Sequence, residues 1–167
     1  IKEHIQENLE ASLKAVSEMG YDGVEFAGYF DNSADDVKSW LEKYNLEVAA
    51  SHTPFEALQD NLEAEIEFAK TINNKFMIVP YASFDSLSEW ENFWKEMEKI
   101  ARRLNEEGIT LGYHNHNHEL DSSKGYEILD LAAKLAPSIL LEIDTYWVNF
   151  ADVDPVNWIK NHTDSVG

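Results

Sequence analysis

Five short apolar segments alternate with helical patterns along this chain, and that alternation restricts the fold more than any other feature. The segments are GVEFAG (23–28), LEVAASH (46–52), FMIVP (76–80), ITLGYH (109–114) and ILLEID (139–144). Each is brief, rich in branched or aromatic residues and bounded by turn formers, the pattern of a buried strand. Between them apolar residues recur at helical spacing. Ile5, Leu9, Leu13, Val16 and Met19 predict one helix stopped by Gly20, and Ser33 with Asp36 opens a second ahead of Val37, Trp40, Leu41 and Tyr44. A third carries Leu58, Leu62, Ile66 and Ala69. The clearest begins at the capping box Ser86 to Glu89, bears Trp90, Phe93, Trp94, Met97, Ile100, Ala101 and Leu104 on one face, and closes at Gly108. Ile128 to Leu135 predicts a short helix, and Asp154-Pro155 opens the last one.

Strands that recur every 25 to 35 residues or so, each followed by a helix, are repeated βα units and build a parallel sheet. The class is therefore α/β. Doubly wound and barrel closures both satisfy the pattern, although five strands are too few for an eight-stranded barrel. No glycine-rich turn of the dinucleotide or P-loop kind follows any strand, which counts against nucleotide binding.

Charge narrows the partners. With 32 acidic against 13 basic residues the formal net charge is −19, so the average field repels nucleic acid and anionic membranes and attracts cations. No apolar run approaches the roughly 18 to 20 residues of a membrane span. The absence of cysteine excludes disulfides and thiolate metal sites and is compatible with a reducing compartment; a cytoplasmic location is the expectation.

Reactive groups in a parallel α/β fold gather at the C-terminal ends of strands. Here those ends carry Glu25, His52, Tyr81, His114 with His116, and Asp144. The richest is GYHNHNHEL (112–120), where alternation puts Gly112, His114 and, if the strand persists, His116 on one face. Leu140, Glu142 and Asp144 share a face in the same way. His114 and Asp144, from neighbouring strands, are candidate ligands of one divalent cation, because imidazole and carboxylate together suit such ions. Each residue also has a plainer reading. The histidines fit a solvated loop, Asp144 fits a group satisfying loop amides, and Glu25 and His52 fit hydrogen-bonded structural residues. Trp147 fits core as well as a sugar-stacking surface. His118 and Glu119 read as structural or solvent-facing, and the aromatic stripe of the 86–107 helix as packing.

The segments GYDGVEFAG (20–28), ASHTPF (50–55), GYHNH (112–116), LEIDTYWV (141–148) and DPVNWI (154–159) resemble, in order, the xylose-isomerase-like TIM barrels of the sugar phosphate isomerase/epimerase superfamily. The resemblance implies a (β/α)8 barrel of which residues 1–167 form a single incomplete domain holding strands two to six, with one strand missing in front and about two behind. It implies a metal-dependent isomerase or epimerase acting on a sugar or sugar phosphate by proton transfer through an enediolate. Manganese is the first expectation for the metal, with cobalt, zinc or magnesium also suited. Relatives build the metal centre from Glu, Asp, His and Glu on strands five to eight. Asp144 matches the strand-six aspartate; His114 stands where strand five usually carries the glutamate, and His116 falls on the family's histidine. The expected roles are His114 and Asp144 as metal ligands, His116 as acid/base group, and Glu25, His52 and Trp147 as substrate contacts. The partner is a small-molecule sugar, with no nucleic acid or membrane, and a homo-oligomer fits. A keto-sugar lyase or hydratase and a non-catalytic sugar-binding barrel are the alternatives, and abasic-site cleavage is disfavoured by charge.

Overall fold

The computed structural model describes residues 2–121 and 128–167. They form two compact units, the first running to Met77 and the second starting at Ile78.

The first unit opens with α1 (Lys2–Glu7) and α2 (Leu9–Glu18). The periodicity predicts one helix here, but Asn8 divides it. Its backbone is extended and its side chain accepts from Ala11 N at 2.9 Å, so the second helix starts on a fresh N-cap. Gly20 follows at φ +90°, the left-handed stop the sequence predicts. The strand β1 (Gly23–Phe26) then pairs in parallel with β2 (Glu47–His52), with α3 (Ala34–Tyr44) between them. Ser33 caps α3 through Asp36 N. The register shifts between Val24 and Glu25, so Val24 faces Val48 while Glu25 faces Ala50. A bulge at that point re-aims the residue that follows it. Gly23 is required by close approach: a Cβ there would lie 2.9 Å from Glu47 O. α4 (Phe55–Thr71) is kinked at Asn61 (φ −139°). Leu9, Leu13, Phe26, Val37, Leu41, Leu46 and Ile72 form the core of this unit.

β3 (Phe76–Val79) straddles the division, so the strand order is β1-β2-β3 in the first unit and β3-β4-β5 in the second. In the second unit α5 (Leu87–Glu106) opens on the full capping box of Ser86 and Glu89 and buries every residue of its expected apolar stripe. β4 (Thr110–His114) pairs in parallel with β5 (Leu140–Glu142), and α6 (Ile128–Leu135) lies between them in the chain. Leu111 and Tyr113 of β4 are fully buried, and Tyr113 packs edge-on to Phe93 and Trp94 of α5. Gly112, on the alternate face, would bring a Cβ within 2.6 Å of Ile78 Cδ1. β5 is shorter than ILLEID suggests. It stops at Glu142, because Asp144 caps a further helix, α7 (Thr145–Phe150), accepting from Tyr146 N and Trp147 N. α8 (Pro155–Asn161) begins at Asp154 as expected, and Val166 bridges in parallel to Leu141 beyond it.

Candidate functional site

Strand ends in both units carry the polar groups that the sequence singles out. In the first unit the bulge brings Glu25 Oε1 to 3.0 Å from His52 Nε2, with both side chains partly exposed.

The second unit holds a denser arrangement. Register alone puts His114 opposite Glu142, and His114 Nδ1 meets Glu142 Oε2 at 2.8 Å. On the other ring nitrogen, Nε2 lies 3.5 Å from Asp144 Oδ2. One imidazole thus stands between two carboxylates. Asp144 is held there from two directions. Its Oδ1 accepts the amides of Tyr146 and Trp147 at 2.8 and 3.3 Å, and its own N–H donates to Asn115 Oδ1 at 2.9 Å. The capping role expected as the plainer alternative for Asp144 is therefore real, and it uses one oxygen only.

His116 lies beyond the end of β4, in the loop. Its ring stands 5.2 Å from Tyr81, 5.3 Å from Trp147 and 5.3 Å from His114, centre to centre. Nδ1 is buried and meets no hydrogen-bond partner among the described residues. Burial is the main cause that lowers its pKa below the usual histidine value; His114 and His118 act in the same direction, and Glu119 and Asp144 oppose them. The imidazole is thereby favoured in its neutral, proton-accepting form.

His118 and Glu119 belong to a 3-10 turn (His118–Leu120). His118 Nε2 reaches Ala82 O at 2.8 Å. Glu119 is structural rather than solvent-facing: at 1% exposure it accepts from Tyr113 Oη at 2.5 Å and from His116 N at 2.9 Å. Burial, followed by the charge of Glu119, raises the Tyr113 pKa, so the phenol stays protonated and donates.

Glu142 and Asn115 were given no role by sequence reasoning, and Glu119 only a reading as structural or solvent-facing. Glu142 had a signal, a carboxylate inside an otherwise apolar strand two positions before Asp144. Glu119 had a weaker one, its spacing of three from His116, which lets a carboxylate turn back onto a backbone amide. Asn115 had none, since its partner is an amide on another strand end.

Comparison with known proteins bears on the closure of the sheet. Residues 13–164 match the model of the xylose isomerase-like TIM barrel. Among solved structures the chain is similar to a sugar phosphate isomerase/epimerase from Parabacteroides distasonis, at 23% identity and TM-score 0.72, covering 98% of this chain and 69% of that one. It is similar to an AP endonuclease, family 2, from Brucella melitensis, at 19% identity and TM-score 0.78, covering 94% and 70%. D-allulose 3-epimerase from Methylomonas sp. in complex with D-allulose gives 16% identity and TM-score 0.73, covering 97% of this chain and 65% of that one. A search of curated proteins found no match. No helix among the described residues is long and apolar enough to cross a membrane. Parallel βα units joined to a family match over 13–164 select the barrel over the doubly wound closure, and the chain belongs to the xylose isomerase-like TIM barrel family.

Proposed function

We propose that this chain carries part of the active site of a divalent-metal-dependent isomerase or epimerase that moves a proton on a sugar or sugar phosphate. The observation that carries the reading is the placement of His114 between two carboxylates, with His116 beside it. The donor set fits a cation. Two donors about 2.1 Å from one ion at a tetrahedral angle lie about 3.4 Å apart. The 3.5 Å between His114 Nε2 and Asp144 Oδ2 matches that spacing, and it is long for a hydrogen bond. Nδ1–H donating to Glu142 would then fix the tautomer that turns Nε2 toward the ion, the usual support for a histidine ligand. His114 and Asp144 would hold the ion and Glu142 would orient His114. Manganese suits one imidazole with carboxylates, as do cobalt, zinc and magnesium in varying degree.

When bound, the ion would polarise a carbonyl and its neighbouring hydroxyl and so acidify the carbon between them. His116 takes and returns that proton through its neutral ring. Trp147, beside His116, offers a face for a sugar ring. Glu25 and His52, at the ends of their own strands, are proposed hydroxyl contacts. The likeness to an AP endonuclease is one of fold, and a net charge of −19 disfavours duplex binding.

Two measurements test the reading. Elemental analysis of the purified chain, with Mn2+ titration by calorimetry, should give about one ion per chain. D-allulose incubated with the loaded protein in D2O should gain one non-exchangeable deuterium by mass spectrometry. Absence of both a bound ion and deuterium incorporation would refute the assignment.

A further inference from the structure

We propose that Glu119 is a positioning residue, holding His116 in its working orientation by gripping its backbone amide; this rests on the acid/base role given to His116. β4 ends at His114, so no ladder hydrogen bond places residue 116. Two buried side chains take over that task. Glu119 Oε2 accepts from His116 N at 2.9 Å, and Asn115 Nδ2 donates to His116 O at 3.3 Å. The His116 peptide is therefore held at both of its polar ends. The ring's own Nδ1 has no partner among the described residues, so the backbone grip and the flanking Tyr81 and Trp147 rings set its direction.

Glu119 is an expensive way to hold a loop. Burying a carboxylate costs several kcal/mol unless donors replace its water. Its partners among the described residues are the neutral Tyr113 hydroxyl, the His116 amide, and the His118 ring at 3.4 Å. The two oxygens are used separately, Oε1 for Tyr113 and Oε2 for His116. A glutamine offers one acceptor oxygen, and its NH2 would face a donor at the other position. Tyr113 fixes Glu119 in turn, since its ring is locked against Phe93 and Trp94. A line of contacts thus runs from the α5 core through a phenol and a carboxylate to the loop that bears His116.

The test compares Glu119→Gln with the unaltered chain, both 15N-labelled and loaded with Mg2+ for NMR or with Mn2+ for kinetics. In E119Q the His116 amide proton should move upfield, as a charge-assisted hydrogen bond is lost. The kcat for deuterium uptake into D-allulose should fall about 10-fold with KM unchanged, as expected for a misplaced reacting group. Mn2+ affinity should stay at the wild-type value, because the ligands are untouched. An amide that does not move, or a kcat that holds while the amide moves, overturns the proposal. Should E119Q fail to fold, Tyr113→Phe removes only the hydroxyl that fixes Glu119; the same upfield movement with a smaller fall in kcat is expected, and no change in either overturns it. His116→Ala separates this inference from the reading beneath it. If uptake survives that substitution, the acid/base role of His116 falls whatever the amide of E119Q does.

Discussion

The two faces of β4 do different work. One turns Leu111 and Tyr113 into the aromatic stripe of α5, where Trp90, Phe93 and Trp94 are buried to 3% exposure or less. The other carries Gly112, kept small by Ile78, and then His114 between two carboxylates. Residues one position apart thus meet hydrocarbon or ionisable groups according to the pleat alone. Burial on the first face supplies stability, and the second can tolerate groups that packing would never select. Tyr113 keeps to the first face, where its ring packs in the core and its hydroxyl donates to the buried Glu119.

Substitutions on each face should separate these contributions. Trp94→Ala should cost about 3–5 kcal/mol in urea unfolding, enough to abolish the fold of a marginal chain. His114→Ala should change the unfolding free energy by about 1 kcal/mol or less. It should nonetheless weaken Mn2+ binding more than about 100-fold by calorimetry, since losing a ligand exceeds the 10- to 100-fold typical of an orienting partner. Destabilisation by H114A as large as that of W94A would erase the division. Asp144→Asn keeps a good N-cap and removes the charge, so Mn2+ affinity should fall about 10-fold or more with no loss of stability; Asp144→Ala should lose about 1 kcal/mol of stability as well. A last substitution tests a buried carboxylate of α5 away from β4. Glu98 is buried, which raises its pKa, but hydrogen bonds from Arg102 Nε at 2.6 Å and from Ser138 N and Oγ at 2.9 and 3.0 Å outweigh this and hold it below the usual glutamate value. A folded pKa below the unfolded one contributes stability above the unfolded value, and that contribution is lost as pH falls through the folded value. Glu98→Gln should cost about 1–2 kcal/mol near neutrality and show a flatter acid limb in thermal melts across the carboxylate range.

Legibility followed the locality of the interactions. The caps at Ser33, Ser86 and Asp154 could be read because donor and acceptor lie within three residues of each other. The α5 stripe could be read from period, and the buried strands from short branched and aromatic runs between turn formers. Asn8 was missed because an apolar repeat running through a polar residue looks continuous until that residue turns its side chain back on Ala11 N. α7 was missed because LEIDTYWV is as strand-like as any segment in the chain, and only the Asp144 cap reveals the turn. His114 and Asp144 could be proposed from strand alternation and the family resemblance. Glu142 and Asn115 act across strands, so their roles waited on register.

The divided use of Asp144 has a consequence for which ion the site would prefer. Oδ1 is committed to the first turn of α7, so the carboxylate is fixed in rotation and presents Oδ2 toward His114. As a ligand such a group would offer one oxygen only. Calcium gains much of its affinity from carboxylates that chelate through both oxygens and from sites with six to eight oxygen donors. Ions content with one oxygen per carboxylate and a nitrogen beside it are favoured instead. A helix cap, by immobilising half of a side chain, would thereby act as a filter on denticity.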